Sequence, residues 1–150
     1  MVKTEKSYVY FGKRYFGDET FTEILNHYLI NGWCEYDAKY RTNIQKVIKI
    51  GETNNITNRK NGLSNKENTI LTKCVCFDGT KDDRLFIESY LRTRYAANSN
   101  MTHFGNDHFT CRTVNTVKGA ENNFFVYVAE AFAMLEQIKH KHYSYECIAL

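Results

Sequence analysis

The chain alternates between two hydrophobic periods. Ser7-Tyr8-Val9-Tyr10-Phe11 is β-branched and aromatic, with Tyr8 and Tyr10 on one face and Val9 and Phe11 on the other, and reads as a first strand. A helical period follows. Thr20 and Glu23 have the spacing of a capping box, and Phe21, Ile24, Leu25, Tyr28 and Leu29 recur on one helix face up to Asn31-Gly32. Residues 33–40 suit a strand or an ordered loop equally. Ile44 to Ile50 reads as a second strand, with Lys46, Ile48 and Ile50 on one side and Val47, Lys49 and Gly51 on the other. Gly51 then reads as a tight turn. Asn54 or Asn55 can cap a short helix that carries Ile56, Arg59, Lys60 and Leu63 at helical spacing, with a polar loop over 62–68.

Thr69 to Phe77 is rich in apolar and small residues and predicts a third strand. Thr80 with Asp83 marks the start of a helix to about Tyr95, whose core face is Phe86, Ile87, Tyr90 and Leu91 and whose second turn carries Glu88. Gly105-Asn106-Asp107-His108-Phe109 is a turn leading into a strand-like piece over 109–114. A last helix over about 120–142 shows an apolar stripe of Phe125, Val128, Ala129, Phe132 and Leu135, and Lys139 to His142 complement its carbonyl end. The tail over 143–150 packs or frays. Together these predict one α/β domain over 1–150 with a central three-stranded, mostly antiparallel sheet flanked by helices. Its core covers about 7–112, and an N-terminal helix and a long C-terminal helix decorate it.

Composition narrows the function classes. At 150 residues, with 43% hydrophobic and 25% charged residues, the chain is globular and large enough for one core. No apolar run is long enough to span a membrane, and Met1 to Lys6 leads into a strand, not a signal sequence. The five cysteines, an odd number without a secretory signal, predict reduced thiols and a cytosolic location. Cys74-Val75-Cys76 is too closely spaced for a usual zinc pair and reads as two small apolar side chains facing the same way.

The net charge is only +3, but it is unevenly spread. Between residues 39 and 73 stand Lys39, Arg41, Lys46, Lys49, Arg59, Lys60, Lys66 and Lys73, against Glu52 and Glu67. Such a patch attracts phosphate, although a solvated basic loop has the same composition. Individually, each candidate has a plain structural reading. Tyr10 suits a core edge. Glu88 stands four residues from both Arg84 and Arg92, the spacing of helix-surface ion pairs. Arg59 suits a solvated helix face, Asp107 a turn, and His103 and His108 a loop.

In combination these segments resemble the GIY-YIG nuclease superfamily. Tyr8-Val9-Tyr10 stands in the place of the first tripeptide and Lys49-Ile50-Gly51 in the place of the second. Thr53, Asn54 and Arg59 match the run that follows, and Glu88 matches the metal-binding glutamate. The Lys-Ile-Gly form, with Gly105 to Phe109 as a late Gly-x-acid-aromatic-Phe-like element, is similar to a branch found in phage and viral proteins. Tyr8 replaces a glycine of the pattern and Lys49 a tyrosine. About 38 residues separate Tyr10 from Lys49 where the family has roughly a dozen, so the helix near 20–30 would be an insertion.

The resemblance implies hydrolysis of DNA phosphodiesters. Glu88 would hold one Mg²⁺ or Mn²⁺, hard cations suited to a single carboxylate plus waters and phosphate oxygens. The forked guanidinium of Arg59 would bind the phosphate. Tyr10 would orient or deprotonate the attacking water, with Lys49 supplying the positive charge a phenol needs if the strands bring the two together. Tyr8, Lys46, Lys60 and His108 are candidate DNA contacts. One such centre cuts one strand, so double-strand cleavage would take a homodimer or sequential nicks. The competing expectations are a non-catalytic DNA-binding or interaction protein on the same scaffold, such as a viral effector, and a structural domain whose basic loop contacts RNA.

Overall fold

The computed structural model describes residues 4–14, 47–67, 69–104 and 107–150. The expected helix near 20–30, residues 33–40, Lys46, Cys34, Gly105 and Asn106 lie outside them. The described chain is α+β. Six antiparallel strands are β1 (Glu5–Arg14), β2 (Val47–Thr53), β3 (Thr69–Gly79), β4 (Met101–Phe104), β5 (His108–Cys111) and β6 (Tyr145–Ala149). Three helices are α1 (Ile56–Glu67), α2 (Lys81–Ala96) and α3 (Val114–Lys139). The sheet order is β4-β5-β2-β1-β3-β6, so the three expected strands lie at its centre, β5 overlaps the strand-like piece read over 109–114, and the unexpected β4 and β6 form its two edges. The edge strands are short, and β6 is largely exposed, so neither carries the alternation that betrays a half-buried strand.

The two faces of β1 part as its alternation requires. Val9 and Phe11 join Ile48 and Ile50 of β2, Val75 and Phe77 of β3, Ile87 and Leu91 of α2 and Phe124, Val128 and Phe132 of α3 in the main core. Tyr10 faces the other way, into a smaller cluster with Leu63, Leu71 and Cys74. Thus α2 and α3 cover one face of the sheet, and α1 docks on the opposite one through Leu63 and, less deeply, Ile56.

Several boundaries differ from the sequence reading. Gly51 is not a turn: β2 runs through it to Thr53. Helix α1 continues through the polar residues after Gly62, because only Ile56 and Leu63 need burial. Helix α3 begins at Val114, not 120, and ends at Lys139, where His140 takes a left-handed conformation (φ 51°) and donates its N–H to the Glu136 carbonyl. Its buried stripe is Phe124, Val128, Ala131, Phe132 and Leu135. Phe125 is only partly buried and Ala129 is exposed, so the stripe is turned from the expected one. The start of α2 is as read: Thr80 Oγ1 accepts from Asp83 N (3.1 Å) and Asp83 Oδ2 from Thr80 N (3.0 Å), closing the capping box.

Candidate functional site

The site is built outward from the pairing of β1 with β2. Their register sets Tyr10 opposite Gly51 and, on the other side, opposite Cys74 of β3. The ring of Tyr10 lies on Gly51: a Cβ there would stand 2.2 Å from Oη and 2.3 Å from Cζ. Gly51 is therefore required by a close approach within a strand. Tyr10 is only 1% exposed, so its position is fixed by packing. Tyr8, two residues earlier on the same face, is half-buried near Cys76, and burial raises its phenol pKa.

Beyond β2 the chain folds into α1 through a short polar relay. Thr53 Oγ1 accepts from Asn55 N (3.0 Å), and Asn55 Oδ1 accepts from Asn58 N (3.1 Å). Of the two expected capping asparagines, Asn55 is the one that caps. The helix presents Arg59 and Lys60 outward, both exposed.

Lys49 lies on the same side of β2 as Gly51 and is 5% exposed. It pairs in register with Gly12 of β1 and His108 of β5. A buried ammonium needs a counter-charge, and Asp107 provides one: Oδ2 is 3.5 Å from Lys49 Nζ. The other oxygen, Oδ1, is 3.0 Å from His108 Nδ1, and the Asp107 carbonyl accepts from Ile50 N at 2.9 Å. Burial pushes the Asp107 carboxyl up, but the His108 hydrogen bond and the Lys49 charge outweigh it and hold the carboxyl down at about 2. Asp107, read as a turn residue, is therefore the counter-ion of the buried lysine. His108, a candidate DNA contact, is 8% exposed and held on Asp107.

Glu88 reaches the site from the opposite face of the sheet. Helix α2 buries Ile87 and Leu91, which leaves Glu88 at the margin of the core, 7% exposed and ion-paired with Arg92 one turn on. Burial pushes its carboxyl up from the usual range. Arg92 pulls it down, Glu52 and Asp107 push it up, and Arg59 pulls it down. Charges from β2, the start of β5 and α1 thus act on one carboxylate of α2. Arg84, by contrast, does not pair with Glu88. Its guanidinium, 4% exposed, donates to Glu52 Oε2 and Glu5 Oε1, both at 2.7 Å, and to Ser7 Oγ at 3.1 Å. This network ties α2 to β1 and β2 and sets where Glu88 falls.

The donor chemistry discriminates among metals. Among the described residues no group of three or more His, Cys, Asp or Glu side chains is arranged to hold an ion, which does not fit a caged zinc. Glu88 is a single carboxylate, pushed toward protonation by burial, Glu52 and Asp107 and pulled back by its partner Arg92 and by Arg59, so a metal there would share the carboxylate with Arg92. It fits a hard, water-rich ion such as Mg²⁺ or Mn²⁺.

The expected site residues are therefore distributed as follows. Arg59 and Asp107 each act electrostatically on Glu88, and Lys49 is joined to Asp107. Tyr10 is on β1, locked over Gly51 and packed with Leu63, Leu71 and Cys74. Lys60 is on the outer surface of α1, and Lys46 lies outside the described residues. Sequence reasoning missed the roles of Glu52, Arg84 and Asp107. The available signal was a lysine inside an otherwise apolar strand, which demands a carboxylate partner. No family model, no curated protein and no solved structure matches the chain. No helix among the described residues is long and apolar enough to cross a membrane.

Proposed function

We propose that this protein is a divalent-metal-dependent endonuclease of the GIY-YIG type that hydrolyses DNA phosphodiester bonds. The observation that carries the reading is the pairing of β1 with β2, which sets Tyr10 against Gly51 beside the helix that exposes Arg59, with Glu88 7% exposed on α2; Asp107 and Arg59 also act electrostatically on Glu88. Arg59 is exposed and so can reach a phosphate, where its planar fork would bind two oxygens and stabilise charge developing on phosphorus. Glu88 would hold Mg²⁺ or Mn²⁺, and a bound ion of this kind supplies Lewis acidity and lowers the pKa of water.

Tyr10 is assigned to orienting the attacking water more than to deprotonating it. Its ring is packed against Gly51, and the Lys49 charge that a phenolate would need is shared with Asp107. Lys49 then positions Asp107 and β5. The same two facts, a buried Tyr10 and a charge-paired Lys49 in place of a tyrosine, favour the second reading: a DNA-binding protein that does not cut.

The fate of supercoiled plasmid DNA separates the two. In the nuclease reading the wild-type chain converts plasmid to nicked circles with Mg²⁺ or Mn²⁺ but not with EDTA, and Glu88→Ala does not. Plasmid retained on a gel, without nicks in either metal, supports the non-catalytic protein. Equal cutting by Glu88→Ala refutes the assigned site.

A further inference from the structure

A glycine stands in the middle of α1 with no steric reason among the described residues. Gly62 is helical, and glycine is the least favourable helix residue after proline. Unlike Gly51, a Cβ built at Gly62 meets nothing within 4 Å. Alanine would fit there and would strengthen the helix. Gly62 instead opens into a cleft of about 320 Å³ whose polar lining includes Asn55, Asn58, Arg59 and Lys66. Among the described residues no carboxylate lines it, and neither Arg59 nor Lys66 has an ion-pair partner.

We propose that this cleft along α1 tracks the phosphate backbone of duplex DNA, with Gly62 as the point where the strand approaches the helix most closely. The spacing supports it. Asn55, Arg59, Gly62 and Lys66 recur at i, i+4, i+7 and i+11, one stripe of the helix. Seven residues of helix separate Arg59 from Lys66, about 10.5 Å of rise. Consecutive phosphates along one duplex strand lie about 7 Å apart, so this rise spans about one to two backbone steps. Two cations thus meet phosphates about one to two nucleotides apart. Between them the missing side chain at Gly62 leaves room for the intervening sugar and phosphate, and the Asn58 amide can donate to it.

The choice of ligand rests on the nucleic-acid reading of the site, but the inference concerns grip and not cutting, and the experiment keeps them apart. Binding of the full chain to a 20-bp duplex is measured in EDTA across a salt series, beside thermal melting. Gly62→Ala is expected to melt about 2–4 °C higher and to bind more weakly. Gly62→Leu, which projects further into the cleft, is expected to lose about tenfold or more in affinity while remaining folded. Lys66→Gln is expected to lower the slope of log affinity against log salt by about 0.9, one phosphate contact.

Gly62→Leu and Lys66→Gln binding with wild-type affinity and slope would overturn the proposal, as would a wild-type chain that does not bind the duplex. Cutting of plasmid with Mg²⁺ is scored separately. A protein that binds in this pattern but never cuts refutes the nuclease and keeps the cleft, and one that cuts with unaltered Gly62→Leu binding does the reverse.

Discussion

Gly51→Ala tests the pairing on which the whole site stands. Propensity alone gives the wrong sign, since glycine inside a strand costs about 0.5–1 kcal/mol relative to alanine. The geometry opposes it strongly. The added methyl would stand 2.2 Å from Tyr10 Oη, 2.3 Å from Cζ and 2.9 Å from Cε1, where carbon contacts settle at about 3.5–4.0 Å. The ring would have to retreat by more than about 1 Å. It has nowhere to go, because Leu63, Leu71 and Cys74 around it are each at most 2% exposed and interiors yield little. Overpacking of this kind costs about 1–3 kcal/mol, and a rigid ring places it at the upper end.

For a chain of this length about 3 kcal/mol lowers Tm by about 6–12 °C, readable by circular dichroism. Tyr10→Phe removes only Oη and leaves Cζ in the way, so it relieves little of the clash. Tyr10→Val removes the ring and is expected to make Gly51→Ala nearly neutral in that background, a coupling of about 1–3 kcal/mol in the double-mutant cycle. A Gly51→Ala protein melting within about 2 °C of wild type would refute the reasoning.

Three further outcomes follow from the charges and caps. Because burial raises the Glu88 carboxyl above its ordinary 4.5, plasmid nicking at subsaturating metal should fall on the acid side with a midpoint above 4.5; a midpoint at or below that value contradicts the assignment. Asp107 is held at about 2, below its ordinary 3.8, so its contribution to stability is present above 3.8 and disappears as pH falls toward 2. The Tm gap between wild type and Asp107→Asn should close over that window, and a gap independent of pH would show that the Lys49 and His108 partners contribute nothing. Thr80→Ala removes one half of the α2 capping box and should cost about 1 kcal/mol, a Tm loss of about 2–4 °C; an unchanged melt would mean the cap is replaced by water.

What could be read from the chain followed local physics. The alternation of Tyr8 to Phe11 correctly separated two faces of β1, and Thr80 with Asp83 marked the start of α2, because each signal lies within a few residues. Strand β6 was hidden because its support is β3, some seventy residues earlier, and its own side chains are mostly exposed. The sequence reading set the α3 stripe on Phe125 and Ala129, and the packed core turns it to Phe124 and Ala131, because the adjacent Phe124 and Phe125 fit a helical period about equally well. The site showed the same division. Glu88 between two arginines read as a double helix-surface pair. One of those arginines, Arg84, instead crosses the fold to Glu5 and Glu52, a choice made by strand pairing that no local spacing encodes. Gly51 read as a turn because a glycine within a strand is visible only when the ring that needs it is in place.

The most direct measurement is single-turnover cleavage of an end-labelled duplex with Mg²⁺ or Mn²⁺, with the product ends determined. Water attack on phosphorus with departure of the 3′ oxygen leaves a 5′-phosphate and a 3′-hydroxyl, so the nick should be resealed by DNA ligase. Glu88→Ala should cut at least about 10²-fold more slowly while binding the duplex in EDTA as wild type does. A 3′-phosphate end, cutting that survives EDTA, or an undiminished rate for Glu88→Ala would contradict the central claim.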